Sequence, residues 1–569
     1  MAEEQHEAVE TVRILITDRI AREGIDLLRS QLPEAQIDER PGLQPEQLKA
    51  IIGAYTALIV RSETQVTSDI LDAATHLKIV GRAGVGVDNI DTAAATRQGI
   101  MVVNSPTGNI VAAAEHTIAM LMALARQLPA ANASTKAGKW EKSRFLGVEV
   151  RNKVLGIIGL GKVGTEVARR AQGLEMQVIA FDPYVGPEQA RKLGVAMLSM
   201  EEVLSSADFV TLHTSLTTGP SGTRGLIGVH ELQLLKPTAR LINCARGGLI
   251  DEEALLNALN EKRLAGAALD VFSQEPIRDN AVLKQLLVHE RVIATPHLGA
   301  STEEAQVGVA TDVAEQVVAV LRGGFPRAAV NAPLILPETL KVLQPYMRLL
   351  EQMGRLYTQL QPGPLSKIEL SCSGEIATYD LRPLQAALIK GLLESVSDAH
   401  VNMINASLLA KQWGLEILEQ KSTVPTEFAN LVTLRLLSAN GHASSFAGKP
   451  GSGDEYVEML SGTVMHGEPR IVCVGRYWTE FVPEGIILFC RNPDQPGMIG
   501  RVGTVLGKAH INIRHMDVGP IVRTPRSRQG QTTPDTALMI ISVDDPIPEW
   551  ALEEIGAAGD IFGLTVVKL

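Results

Sequence analysis

From residue 11 the chain alternates short apolar runs rich in β-branched residues with stretches whose apolar positions recur every three or four residues: RILITD, a helix-like run to Leu32, TALIVRS and LKIVGRAGVG. That alternation predicts parallel strands joined by helices. A long helical stretch over 109–138 follows, and KVLGIIGLGKVG opens a second series running through MQVIAFDP, DFVTLHT, ARLINCARGG, LAGAALDVF and ERVIATPHL. Six strand-like runs in this order predict a complete dinucleotide-binding fold. After His297 a further helical stretch to about Arg322 reads as a return to the first unit, and NAPLILP at 331–337 marks a boundary rich in proline and turns.

Beyond residue 334 the pattern changes. Up to 484 helices mix with strands (SKIELSCSG, EPRIVCVGRYWTEF) without a cluster of candidate catalytic residues, which predicts an accessory α+β unit. The last segment reads as strand GIILFCRN, turn PDQPG, helix MIGRVGTVLGKA, strands INIRHMDV and ALMIISVD, a helix from Glu549 and a final LTVVKL, a βαββαβ order.

Length and composition narrow the class. At 569 residues the chain exceeds what one core supports, and 45% hydrophobic with 21% charged residues is ordinary for a globular protein. Its apolar runs are strand-length, far short of the roughly 20 residues that span a bilayer, and the acidic start MAEEQHEAVE lacks a targeting pattern, so a cytoplasmic protein without membrane contact is expected. Cys244, Cys372, Cys473 and Cys490 lie too far apart for a disulfide scaffold or a zinc site, and no metal is expected. A net charge of -11 disfavours nucleic acid, and the locally basic RTPRSRQGQTTPD reads as a hairpin loop. Any anionic substrate must therefore be met by locally placed arginines.

Gly159, Gly161 and Gly164 in GLGKVG, with Lys162 and Val163 inside the turn, match GxGxxG. The string alone says little; its context says more. The strand VLGII enters it, the helix TEVARRAQ leaves it, and the next strand ends in FDP with Asp182 at about the spacing expected of a ribose-binding acid. The glycines admit the pyrophosphate to a helix N-terminus, and Asp182 repels a 2′-phosphate, so NAD is expected rather than NADP.

Three further signals close later strands of the same unit: Arg246 in NCARGG, Glu275 in SQEP and His297 in TPHLGAST. Oxidising an alcohol by hydride transfer needs a base for the hydroxyl proton and a cation for the developing carbonyl and the carboxylate. His297 and Arg246 supply these, and Glu275 orients the imidazole. Each has a bland alternative, as an ion-pair arginine, a turn-capping glutamate and a satisfied loop histidine.

NCARGGLID, ALDVFSQEP and TPHLGAST, with GRAGVGVDNID and GNIVAAAEHT upstream, resemble the signatures of the D-isomer-specific 2-hydroxyacid dehydrogenases. The resemblance implies that Arg246, Glu275 and His297 are catalytic, that Asp270 meets the nicotinamide carboxamide, and that Thr214 and Cys244 lie near the cofactor. It also implies a Rossmann domain (109–298) inserted in a discontinuous flavodoxin-like substrate domain (11–108 and 299–333) behind an N-terminal tail (1–10). Ser215 departs from the family, which usually has proline there.

Arg61, Arg82 and Asn109 are expected to face the cleft between these domains, with Lys142 or Arg144 acting electrostatically on the substrate; Lys142 stands where relatives often carry arginine. Two arginines beyond the need of one carboxylate suggest a phosphate as second anion. VNMINASLLAKQWGLEI resembles the intervening allosteric substrate-binding domain of the family's long members (334–484 here), and RNPDQPG with the βαββαβ order resembles an ACT domain (485–569). Those members oxidise 3-phospho-D-glycerate to 3-phosphohydroxypyruvate at the start of serine synthesis. ACT domains pair across subunits, so a homodimer or homotetramer is expected, with an amino-acid effector near Asn492, Asp494 and Asn512; Asp494 replaces the asparagine of serine-inhibited relatives. The alternatives are a glyoxylate or hydroxypyruvate reductase on the same scaffold, and an NAD-sensing protein that acts through partners.

Overall fold

The computed structural model describes residues 12–217, 219, 222–333, 335, 337–360, 365–394, 401–438, 458–520, 536–557 and 561–569. The loop expected over 523–535 lies outside them.

The first apolar runs form a five-stranded parallel sheet in the order Gln36–Glu39, Arg13–Ile16, Ala57–Val60, Ile79–Arg82, Met101–Asn104. This is the flavodoxin-like order. The helix Glu303–Leu321 lays Val309, Val313 and Val317 on this sheet's core, and the chain behind it bonds to the edge strand, with Val330 N–H donating to the Val102 carbonyl at 2.8 Å. The later segment thus completes the earlier sheet.

The second sheet is parallel throughout, in the order Val292–Ala294, Gly266–Leu269, Arg240–Asn243, Phe209–Leu212, Val154–Ile158, Gln177–Phe181, Ala196–Met197. It is the Rossmann order with one strand more than the six expected, because the pair Ala196–Met197 is too short for a periodic signal. The expected single helix over 109–138 is two, Ile110–Arg126 and Leu128–Lys136, because Pro129 cannot continue an α-helical hydrogen-bond ladder and Gln127 turns left-handed at φ 52°.

In the C-terminal half a six-stranded sheet runs Glu416–Ser422, Leu365–Gly374, Asn430–Ser438, Glu458–Met465, Glu468–Val474, Tyr477–Phe481, antiparallel except for its first pair. EPRIVCVGRYWTEF, read as one strand, is two, reversed at Gly475 with φ 59°. The final βαββαβ unit forms an antiparallel sheet in the order Ile513–Pro520, Thr536–Val543, Ile486–Pro493, Phe562–Lys568. One face of that sheet packs under its own helices, Met498–Lys508 and Glu549–Gly556. The other face sends Ile487, Phe489, Leu538, Ile540 and Val567 into the core around the helix Pro337–Leu360.

Candidate active site

Parallel sheets present their strand carboxyl ends to a common rim, and ligands gather there. Arg82 ends the strand Ile79–Arg82 and Arg61 follows Ala57–Val60, while Gly159, Arg246, Glu275 and His297 follow strands of the second sheet. The two rims meet: Arg246 of the second donates Nε–H to Asp88 Oδ2 of the first at 3.1 Å.

The dinucleotide turn is shaped for a ligand. At Gly159 (φ 97°) a Cβ would lie 2.6 Å from the His213 carbonyl oxygen, and at Gly164 one would lie 2.2 Å from the carbonyl oxygen of Gly159. At Gly161 a Cβ would meet nothing within 4 Å, so the glycine leaves open space at the N-terminus of the helix Lys162–Gly173, where phosphate oxygens belong. Val163 packs on the core behind the turn. Asp182 accepts N–H bonds from Leu160 and Tyr184, both at 2.8 Å, which fix its carboxylate beside the turn.

Buried polar atoms without a partner concentrate along the same cleft: Arg82 Nε, Ser105 Oγ, Asn109 Oδ1 and Thr214 Oγ1. Such atoms cost free energy unless a ligand meets them, and together with the open turn they fit a dinucleotide and a polar substrate. The Ser215 carbonyl, at the departure from the family pattern, accepts from Thr223 Oγ1 at 2.6 Å and closes its own loop. Burial, and then the charge of Asp270, pushes the Cys244 thiol up to about 12, so it sits at the cleft as a neutral group.

His297 Nδ1 lies 2.6 Å from Glu275 Oε2, and the other carboxylate oxygen of Glu275 accepts the Phe272 N–H at 2.8 Å. The carboxylate therefore holds one imidazole nitrogen and leaves Nε2 for chemistry. The loop of Arg246 is tied by Asn243, whose side chain donates to the Arg246 carbonyl at 2.9 Å and accepts from Ala245 N–H at 3.0 Å. Gly247 is required there, since a Cβ would sit 1.8 Å from the Phe272 carbonyl oxygen. An apolar cavity of 450 Å³ lined by Phe272, Ile277 and Leu287 abuts the histidine–glutamate pair.

Arg82 is the electrostatic centre of the cleft. Burial, then the charge of Arg246, brings its guanidinium down to about 10; Arg61 adds to the repulsion, while Asp88 and Asp18 oppose it. Arg61 opens into a 620 Å³ cleft with Ser301, Thr302 and Gln306.

Asp270 lies beneath the loop that carries His297. Its residue is 0% exposed, and its carboxylate accepts from Thr295 Oγ1 (2.6 Å), Leu298 N–H (2.7 Å) and Gly299 N–H (2.9 Å), with His116 Nε2 at 3.2 Å. Burial raises its carboxyl, but bonds from His116, Thr295 and Leu298 outweigh this and leave it lowered. It holds the loop that carries His297. Lys142 and Arg144 are not brought to the other arginines: they sit in the exposed turn Lys142–Phe145, where Arg144 pairs with Glu141 at 3.4 Å.

In the C-terminal unit Asn492 is buried with its Oδ1 unpartnered, Asp494 is exposed, and Asn512 donates to Asp544 Oδ2 at 2.7 Å. Asp88, Asn243 and His116 were not foreseen, although all three lie within strings singled out in the sequence (GRAGVGVDNID, NCARGGLID and GNIVAAAEHT). Among the described residues no helix is long and apolar enough to cross a membrane, and no three acidic, histidine or cysteine side chains gather to hold a metal.

The comparisons agree with this geometry. Residues 118–299 match the NAD-binding domain of D-isomer specific 2-hydroxyacid dehydrogenases, 342–474 the D-3-phosphoglycerate dehydrogenase intervening domain, and 486–560 the ACT domain. The chain is 42% identical to D-3-phosphoglycerate dehydrogenase of Synechocystis sp. over 98% of its own length and 95% of the relative's. It is 39% identical to that of Archaeoglobus fulgidus over 98% and 100%. Among solved structures, D-lactate dehydrogenase of Aquifex aeolicus in complex with NAD and lactic acid superposes with a TM-score of 0.51 at 25% identity, covering 56% of this chain and 99% of that one. A glyoxylate reductase from Paecilomyes thermophila does so with 0.51 at 28%, covering 56% and 98%. The chain belongs to the D-3-phosphoglycerate dehydrogenases, within the D-isomer specific 2-hydroxyacid dehydrogenase family.

Proposed function

We propose that the chain oxidises 3-phospho-D-glycerate to 3-phosphohydroxypyruvate with NAD, the first step of serine synthesis. The observation that carries the reading is the gathering of Arg61 and Arg246 around Arg82, a half-buried cation brought down to about 10 by burial first and by their charge after it. A substrate with a carboxylate at one end and a phosphate at the other relieves that repulsion at both ends.

In this reading His297 Nε2 takes the C2 hydroxyl proton, and Glu275 stabilises the imidazolium that results. Arg246 binds the substrate carboxylate and the oxygen that becomes the carbonyl, exchanging its bond to Asp88 for charge-assisted bonds to the substrate. NAD, when bound, accepts the hydride that leaves C2. Gly159, Gly161, Lys162, Gly164 and Asp182 bind the cofactor's phosphates and ribose, with Thr214 and Cys244 beside the nicotinamide end. Arg61, Arg82 and Asn109 bind the substrate, and the resemblance to a glyoxylate reductase supplies the rival substrate class.

Steady-state rates with 3-phosphoglycerate against glycerate test this. We expect 3-phosphoglycerate to be favoured by about 100-fold in kcat/KM, a difference of about 3 kcal/mol for one charge-assisted anion site, and Arg82→Ala to remove most of that preference. Equal efficiency on both acids removes the phosphate site.

Two further elements belong to the reading. The helix Leu128–Lys136 buries none of its residues, and Trp140 beside it is 88% exposed, surface that fits self-association into a homo-oligomer. An amino-acid effector at the ACT domain is supported by the unpartnered Asn492 Oδ1 and tested by calorimetry of the whole chain with L-serine, where absence of heat removes serine as the effector. Four free cysteines, three of them buried, fit a reducing compartment such as the cytoplasm.

A further inference from the structure

We propose that His116 is a positioning residue for the proton-transfer loop, holding the Asp270 carboxylate from the helix that leads out of the cleft. The inference rests on reading His297 as the proton acceptor.

Asp270 carries the loop almost alone. Its backbone carbonyl accepts the His297 N–H at 2.9 Å, and its carboxylate takes the hydroxyl two residues before His297 and the N–H groups of the two residues after it. His297 sits at φ 55°, a left-handed conformation that costs a non-glycine residue roughly 1 kcal/mol or more and persists only where surrounding bonds impose it. Most of those bonds end on Asp270; others are the Thr295 N–H on the Leu269 carbonyl, a second bond of the His297 N–H to the Thr295 carbonyl, and the His297 ring on Glu275.

A fully buried carboxylate in turn needs donors or a counter-charge. Among the described ion pairs the partner of Asp270 is His116, with Nε2 at 3.2 Å from Oδ1 and 3.3 Å from Thr295 Oγ1, so one imidazole N–H serves both acceptors. His116 lies on the helix Ile110–Arg126, which starts directly after Asn109 with its unpartnered Oδ1 in the cleft. Seven residues separate them, about two helical turns, so both occupy one side of the helix. The helix that begins at the substrate cleft thus sets the carboxylate on which the catalytic loop hangs.

His116→Ala is expected to lower kcat for 3-phosphoglycerate by at least about tenfold through misplaced reacting atoms, with KM within about threefold because no substrate contact is lost. His116→Gln, which keeps an amide donor, is expected to recover most of the lost kcat. Leu124→Ala, a buried apolar change on the same helix, controls for destabilisation and is expected to lower the melting temperature while kcat persists in the folded enzyme. If His116→Ala fails to fold, His116→Phe, which fills the space without a donor, takes its place. A kcat within about twofold of wild type, an equal loss in Leu124→Ala, or no recovery by His116→Gln overturns the proposal. If His297→Ala itself retains turnover, the reading of His297 fails instead, and the two failures are distinguishable.

Discussion

The two halves of the chain solve opposite problems. In the N-terminal half each sheet keeps its own pair of apolar clusters, and what lies between the two sheets is polar: arginines, aspartates and unpartnered side-chain atoms. In the C-terminal half one cluster runs from Leu343 on the helix Pro337–Leu360 through the six-stranded sheet to Val567 of the ACT sheet, with Phe481 and Phe489 edge-on at 5.8 Å across the junction. Gln359 reinforces it by exchanging two bonds with the backbone of Lys568, at 2.7 and 2.9 Å. A polar seam can open and close on a ligand, because water or substrate satisfies either side. An apolar seam cannot open without exposing its core, so the intervening and ACT domains are expected to move and melt as one body.

This contrast predicts a double dissociation. The largest effect belongs to His297→Ala, which removes the proposed base from a polar rim: kcat/KM for 3-phosphoglycerate falls by about a thousandfold, and the melting temperature stays near that of wild type, both read on the same preparation. Phe489→Ala does the reverse. Truncating this buried ring costs about 3–5 kcal/mol, and at temperatures where the variant is still folded its kcat is retained. Hydrogen exchange decides whether the body is single: the strands Leu365–Gly374 and Ile486–Pro493 should lose protection together. Loss confined to the ACT strand breaks the comparison.

The same contrast explains what the sequence revealed. Motifs at strand ends report on the cleft because turn chemistry is local: the glycines around Leu160, the acid at 182, and Arg246, Glu275 and His297 all follow recognisable strands. Asp88 escaped because its partner Arg246 lies 158 residues away and nothing near either residue encodes the meeting. His116 sits among alanines on a helix, where its position reads as ordinary helical surface until Asp270 is set beside it. Lys142 and Arg144 follow the break at Gln127 and the exposed helix after it, backbone geometry that neither their charge nor their likeness to the family's arginine position announces. The fused C-terminal core was illegible for a different reason: an alternating strand announces that one face is buried, never against what.

Asp270 sharpens the polar side of the comparison, since it is a buried charge retained for geometry. Its folded-state carboxyl is held lower than in the unfolded chain, where it titrates near about 4, so it stabilises the fold above that pH and the contribution is lost as pH falls through the folded value. Asp270→Asn should therefore cost about 2 kcal/mol at neutral pH, with the gap to wild type closing in acid below about pH 4. Denaturant titrations across this range check the sign. A gap that does not narrow as pH falls below about 4 means that shape, not charge, holds the loop.

The smallest effect lies where the halves touch. Asn402, in the turn before the helix Ala406–Gln412, donates Nδ2–H at 2.7 Å to the carbonyl of Gly99, in the turn that leads into the first sheet's strand Met101–Asn104, while its Oδ1 accepts from Ile404 N–H at 2.9 Å. Gly99 stands at φ 70°, and a Cβ there would come 2.4 Å from Asn402 Nδ2, so the backbone conformation and the fit both demand glycine. Ile404 beside it joins the first sheet's core. This contact is a small polar latch with one apolar pin, unlike either seam. Asn402→Ala should cost only about 1 kcal/mol, leaving kcat and the C-terminal transition nearly unchanged. Its signature is separation: the thermal transitions of the two halves move apart while each keeps its own sharpness, because the latch is weak enough to release and still strong enough to let one half report the state of the other. If the halves already melt apart in the wild type, the latch couples nothing.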